Sequence, residues 1–424
     1  MTRPRIVVTG VGIVSPLALS AEAHFAALNE GRSAVERLED EDYRNYPRIL
    51  LAKVRGFDRR VLIPDRMLRK LLSPSPAFAL AGATFALTDA GLASHDLTEC
   101  GLYVGSVCLD ANPEAFIPAL RESIRGDEVD LSRFATHGMK LVDPLFLVKS
   151  LPNAGLCSIA IQHQILGPNA NITNGSVSGL QAVIAAMQSL SRGDCEFALA
   201  GGYDSLLRMD TIVDHLLGGR LAGGDEDPCR ACRPFDRRHS GFALSEGAAF
   251  TMLETADHAR RRGARIYGEL ASYGETALPA SLLASQDDSA ESLCAAAVAA
   301  IEESGDKAPS VDCVFGSGLA TEWDDAHEAA SYNRVFNGAR PPLTCFTGSI
   351  GMPGAATGAF SLVHAMLAMR DNVVPPIVNC DDPIGEFGIP FVRKPLAAEL
   401  DRVLVWNSDR GMKNAAISAA RYRN

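Results

Sequence analysis

Two stretches of this 424-residue chain read as helices that solvent does not reach, each entered through small residues. The first runs from Val177 to Ser191. Leu180, Ala182, Val183, Ile184, Ala185, Ala186, Met187 and Leu190 spread round nearly its whole circumference, and Gly193 is its stop. A helix that is apolar on all sides must be buried on all sides, so it needs layers above and below it. Strand-like Ala170-Asn171-Ile172 and the small residues Asn174-Gly175-Ser176 precede it, and strand-like Phe197 to Gly202 follows. The second helix is opened by Gly351-Met352-Pro353-Gly354, carries Ala355, Ala356, Ala359, Leu362, Val363, Ala365, Met366 and Leu367, and leads on to a strand at Val403–Trp406. Likewise Leu102-Tyr103-Val104-Gly105-Ser106 is echoed by Cys313-Val314-Phe315-Gly316-Ser317. The repetition predicts an internal duplication. Its halves, residues 1–258 and 259–424, meet in the stretch 255–265 around Arg260-Arg261-Arg262-Gly263. No Pro- or Ser-rich linker separates them, so they are expected to share one core.

Elsewhere strands and helices alternate, as in an α/β protein. Ile6 to Thr9 reads as a buried strand. Ser20 is placed to cap a helix running to Asn29 with Gly31 as its stop, and Ser75-Pro76 opens another that Gly91 ends. Gly10-Val11-Gly12 has two glycines of a dinucleotide loop but lacks the third, and no acidic residue closes a second strand at the right distance. It is read as a tight turn. There is no P-loop, no HExxH and no Ser-His-Asp order, so no cofactor is expected. Ten cysteines follow no repeating spacing and read as reduced thiols. Cys229-Arg230-Ala231-Cys232 has no second pair to complete a zinc site, so no metal is expected. A net charge of −11 argues against a general nucleic-acid binder. Arg55, Arg59, Arg60, Arg66, Arg69 and Lys70, with Arg230, Arg233, Arg237 and Arg238, form local basic clusters, read as a solvated face or as a docking patch for an acidic partner. No signal-peptide pattern and no bilayer-length apolar run is present, which predicts a cytoplasmic chain without a membrane partner.

Short motifs in order along nearly the whole chain resemble stand-alone, type II β-ketoacyl synthases. They include Arg5 to Pro16, Leu151-Pro152-Asn153, Gly167-Pro168-Asn169, Ala200 to Asp204, Arg233 to Asp236, Gly241-Phe242, Glu246-Gly247, His258 to Tyr267, Val374 to Asn379 and Asn407-Ser408. The resemblance implies a thiolase-like fold: two similar halves, each with a mixed five-stranded sheet, in a five-layered α/β/α/β/α stack. Members of that family are usually dimers.

The family's chemistry rests on four side chains. A cysteine at the start of the buried helix takes the acyl chain as a thioester, helped by the helix N-terminus and backbone N–H groups. Two histidines stabilise the enolate formed on decarboxylation of the malonyl thioester, and a lysine supports the second. Where the family runs Thr-Ala-Cys-x-Ser-Gly, this chain reads Asn174-Gly175-Ser176-Val177-Ser178-Gly179. His-Gly-Thr-x-Thr becomes Ser317-Gly318-Leu319-Ala320-Thr321, and Lys-x-x-x-Gly-His becomes Thr347 to Met352. The C-terminal Phe-Gly-Phe-Gly-Gly-x-Asn loop becomes Asp409 to Asn414, one residue shorter. No catalytic residue is therefore expected at Ser176, Ser317, Thr347 or Met352. A hydroxyl needs an adjacent base, and the field of a helix N-terminus, about 0.3–2 kcal/mol, cannot ionise it. Ser176 is read as a helix cap, Met352 as an apolar filler and Ser317 as a local hydrogen-bonder. His327 is read as a surface or packing residue, with a rescue role as the alternative.

Such a disarmed synthase resembles the chain length factor, or ketosynthase β subunit, of type II polyketide systems. That subunit pairs with an active ketosynthase α subunit in an acyltransferase-class heterodimer and shapes the tunnel into which the product grows. An acyl carrier protein bearing phosphopantetheine is the other implied partner. Many chain length factors carry glutamine where this chain has Ser176, which leaves the product class and any decarboxylase role open. By the same match Cys108, Leu109, Asn112 and Phe116 are the tunnel and interface candidates, Phe116 being alternatively a core aromatic. Two other readings remain: an acyltransferase or thioesterase using Ser176 as acyl acceptor, and an acyl-binding scaffold.

Overall fold

The computed structural model describes residues 4–39, 49–106, 113–223, 227–278, 286–303, 310–410 and 413–423. Strands β1 (Ile6–Val14), β2 (Gly101–Gly105), β3 (Asn169–Ile172), β4 (Phe197–Ser205) and β5 (Leu244–Thr255) lie side by side as β3-β2-β4-β5-β1. Strands β6 (Gly268–Ala277), β7 (Cys313–Phe315), β8 (Leu343–Thr344), β9 (Arg402–Asp409) and β10 (Lys413–Ala420) lie as β8-β7-β9-β10-β6, the same order five strands on. In each set the first two pairings are parallel and the last two antiparallel. The sets join where β1 pairs antiparallel with β6, Ile6 opposite Leu270 and Val8 opposite Gly268. Short strands at Glu36–Arg37 and Leu50–Ala52 bring the sheet to twelve.

Helices supply the other layers. Helix α1 (Ala21–Asn29) is capped by Ser20, whose hydroxyl accepts from the Ala23 N–H. Helices α2 (Pro74–Asp89) and α3 (Ala154–His163) cover one face of the first sheet, and α4 (Ser178–Arg192) the other. Helix α5 (Met209–Leu217) follows β4. Helices α6 (Gln286–Glu302) and α7 (Glu322–Val335) cover the second sheet on its outer face. Helix α8 (Thr357–Asp371) packs against α4 between the sheets. The result is the α/β/α/β/α stack. Side chains of β1, α4, α8, β9 and β10 meet in one buried cluster between the sheets.

Helix α8 is buried from Thr357 through Met369. Helix α4 departs from all-round burial: Gln181, Ala185 and Gln188 make a half-buried stripe, and Gln181 accepts from Asn174 Nδ2 at 2.7 Å. Gly10 and Gly12 lie inside β1 and not in a turn. A Cβ on Gly10 would fall 2.4 Å from the Ala86 carbonyl oxygen of α2, and one on Gly12 2.1 Å from that of Gly82. The glycines are there to let a helix lie against the strand. Helix α2 itself starts at Pro74, earlier than Ser75, because both Pro74 and Pro76 fit a first turn whose N–H groups have no helical partner. Among the described residues no helix is long and apolar enough to cross a membrane.

Candidate functional site

The turn from β3 into α4 places Ser176. Its pivot is Gly175, at φ +70°, and it is tied by Ser178, whose hydroxyl accepts from the Asn174 N–H at 2.7 Å and donates to the Gly175 carbonyl at 2.7 Å. The Ser178 hydroxyl thus ties the turn, while the N-cap position is Val177 with no side-chain cap bond, so Ser176 is not the helix cap. The Ser176 hydroxyl, almost fully buried, donates to the Ser408 carbonyl oxygen at 3.2 Å. It also lies 3.5 Å from Asp409 Oδ1, at the end of β9. Burial pushes the Asp409 carboxyl up, while Lys413, Arg410 and Arg220 pull it back. Asp409 was visible in the sequence only as part of an altered loop, with nothing to show that it faces Ser176.

Ser317 follows β7. Its hydroxyl accepts from Asn407 Nδ2 on β9 at 3.0 Å, a long-range bond and not the local one expected. Thr347, in the turn after β8, donates from Oγ1 to the Ser317 carbonyl at 2.6 Å, so two residues read from separate motifs are in contact. Beneath them Glu328 of α7 accepts from the Ser317 N–H at 3.0 Å, the Gly318 N–H at 2.9 Å and Trp406 Nε1 at 2.7 Å. Burial pushes the Glu328 carboxyl up to about 7 against those donors. Sequence reading missed Glu328 because a glutamate in a helix carries no mark of what it holds. One turn earlier, Asp325 accepts from the Phe235 and Ala320 N–H groups and pairs with His239 Nδ1 at 2.8 Å. His327 is buried and stacks on Trp323, ring centroids 5.1 Å apart, which makes it a packing residue and not a surface one. Met352 is buried among Phe242, Leu206 and Leu319.

Phe116 is half-buried and sets its ring edge against Phe146, centroids 4.4 Å apart. Cys108, Leu109 and Asn112 lie outside the described residues. Cys229 is exposed with Sγ 3.4 Å from the Val35 carbonyl, whereas Cys232 is buried with Sγ 3.3 Å from that of Thr347. Among the described residues no group of three or more His, Cys, Asp or Glu could hold a metal. Much of the basic cluster is used internally: Arg59 and Arg69 donate to main-chain carbonyls, Arg230 pairs with Asp381 and Arg237 with Glu386, and Arg233 is buried.

A duplicated five-layer stack with its site at the start of the first inner helix defines the thiolase-like synthases as a class. The chain matches the beta-ketoacyl synthase N-terminal domain over residues 3–259 and the C-terminal domain over residues 267–381, and it belongs to the β-ketoacyl synthase family. It is 27% identical over 397 residues to the 3-oxoacyl-[acyl-carrier-protein] synthase 2 of Coxiella burnetii, covering 92% of each chain. It is 29% identical over 405 residues to the actinorhodin polyketide putative beta-ketoacyl synthase 1 of Streptomyces coelicolor, covering 93% of this chain and 83% of that one. The solved ishigamide ketosynthase/chain length factor superposes with a TM-score of 0.87 over 100% of both chains at 22% identity, a likeness in fold.

Proposed function

We propose that this chain is a non-condensing ketosynthase-like subunit, a chain length factor, that pairs with an active ketosynthase and shapes the tunnel setting polyketide or polyene chain length. The observation that carries this reading is that the family's catalytic positions hold side chains committed to structural bonds. Thr347 is bonded to the Ser317 carbonyl, the Ser317 hydroxyl to Asn407, and the Ser176 hydroxyl to the Ser408 carbonyl, while Met352 is packed into an apolar cluster. None of these positions offers a thiolate, an imidazole or an ammonium group. Losing positioned proton-transfer groups costs about 10²–10⁴ in rate each, so condensation falls to a second, armed chain.

An exposed apolar surface supports pairing. Leu131, Leu147, Ile161 and Leu166 are each at least 65% exposed, and Leu166 lies just before β3, which ends the sheet among the described residues. Apolar surface of this kind marks interaction sites, and obligate interfaces are the more hydrophobic ones. A relative named for its acyl-carrier-protein substrate supports an acyl carrier protein bearing phosphopantetheine as the other partner. In this reading Cys108, Leu109, Asn112 and Phe116 line the tunnel or the interface, residues 1–258 and 259–424 are the two halves, and the pair works in the cytoplasm. Native mass after co-expression with an active ketosynthase tests it. A one-to-one heterodimer is expected, and a stable homodimer indifferent to every ketosynthase offered would overturn the proposal.

A further inference from the structure

Two departures from the family pattern fit each other in space. The family's alanine before the nucleophile is Gly175 here, and its C-terminal aromatic loop begins here with Asp409. A Cβ on Gly175 would fall 2.2 Å from Asp409 Oδ2 and 2.8 Å from its Cγ. Asp409 can therefore occupy its place only because residue 175 has no side chain. We propose that Asp409 is a built-in seal of the Ser176 site: its carboxyl group fills the space over the start of α4 into which an acyl thioester would have to bring its carbonyl. The inference rests on the reading of this chain as non-condensing and supplies the means by which carrier-bound acyl groups are kept from Ser176.

The surroundings hold the seal in place. Ser176 Oγ lies 3.5 Å from Asp409 Oδ1, so the hydroxyl faces its own chain's carboxyl group where a substrate carbonyl would stand. Arg220, Arg410 and Lys413 all attract the carboxylate. Arg220 is itself fixed, paired with Asp324 at 2.8 Å and lying 5.2 Å from the centre of the Phe242 ring. Arg410 reaches Asp214 on α5 at 3.4 Å. A negative charge beside the first turn of α4 is also favoured by the helix dipole. A serine beside a carboxylate could be taken for an acyl-accepting pair, but the volume that puts Asp409 close to Ser176 is the volume a substrate would need.

Alkylation of a thiol placed at the site tests the seal on the full-length chain. Ser176→Cys, Ser176→Cys/Asp409→Ala and Ser176→Cys/Asp409→Asn are treated with iodoacetamide. The rate at position 176 is read by peptide mass spectrometry, which separates it from the ten native cysteines. Rates are compared on the high-pH plateau, where the thiol is ionised in every variant and the charge of Asp409 no longer alters reactivity through the thiol pKa. The Ala variant is expected to react roughly tenfold faster or more than Ser176→Cys alone, because a covered thiol reacts only through local opening. The Asn variant, which keeps the volume, is expected to stay as slow as Ser176→Cys alone. Equal rates with and without Asp409, or an Asn variant as fast as the Ala variant, would overturn the proposal. Thermal unfolding of each variant confirms that the rates belong to folded chains. Labelling is read on this chain alone and pairing on native mass, so failure of the seal and failure of the partner reading show separately.

Discussion

His24 on α1 and His364 on α8 meet Nε2 to Nε2 at 2.7 Å, and the other ring nitrogen of His24 lies 2.7 Å from Ser15 Oγ. One nitrogen of the facing pair must donate and the other accept, so the two rings cannot both be protonated. Burial holds His24 down at about 3, and burial together with the facing His24 holds His364 well below the usual histidine range.

Acid should therefore weaken the fold through this pair. Both folded values lie below the unfolded one of about 6.5, so under that pH the unfolded chain binds more protons than the folded one. Relative to His364→Gln, the wild-type chain is expected to lose about 2 kcal/mol in all as pH falls from about 7 to about 5, the slope approaching about 1.4 kcal/mol per pH unit at the acid end. Urea unfolding of both proteins across that range measures it. A constant difference would mean that His364 titrates normally.

Glu328 has the opposite sign. Its folded value near 7 lies above the unfolded value of 4.5, so its contribution is present at low pH and lost as pH rises through that interval. Glutamine there turns an NH₂ group toward one of three N–H donors, so Glu328→Gln is expected to be the less stable protein at about pH 5. The gap should narrow by about 1–3 kcal/mol by about pH 8. Paired unfolding curves decide, and a gap that widens with pH would contradict the account.

Reversion of the site one residue at a time should fail. Ser176→Cys is expected to show no condensation with a carrier-bound malonyl group, because Ser317, Thr347 and Met352 still supply no acid, base or oxyanion donor. Met352→His places an imidazole in an apolar cluster and is expected to cost about 1–3 kcal/mol of stability. Product assays and thermal melts check the two outcomes.

The proposed tunnel role of Phe116, whose ring meets that of Phe146 edge-on, has a direct test. Phe116→Ala is expected to lengthen the product made by the heterodimer, read by mass spectrometry of extracted polyketides. An unchanged product distribution would remove Phe116 from the tunnel.

Much of the fold was legible before the structure. The inner helices announce themselves by apolar residues, on every face of α8 and on all but the Gln181–Gln188 stripe of α4, and the paired strand motifs by their likeness, because burial between sheets leaves its mark in composition. Packing glycines were less legible: Gly10 and Gly12 serve helix contact, yet in sequence they look like loop glycines. At the site, the expectation that Ser176 caps α4 fails, because the N-cap position is Val177 without a side-chain bond and the turn is tied instead by Ser178, a choice only the turn geometry makes. What Asp409 and Glu328 face could not be read. Each matters through partners distant in sequence, brought to it when β9 reaches the start of α4 or packs beside α7.

The place of β1 in the sheet governs the order in which the chain can be built. Ile6 pairs on one side with Thr255 and on the other with Leu270, so a strand translated among the first must wait for both its neighbours until well past the midpoint of synthesis. Until then an apolar β-segment is held open on the ribosome, where long-range pairing is slow and unpaired edges invite aggregation. Production of this protein should depend on chaperones that shield nascent chains, and a slowed ribosome beyond Leu270 should help it more than one slowed before.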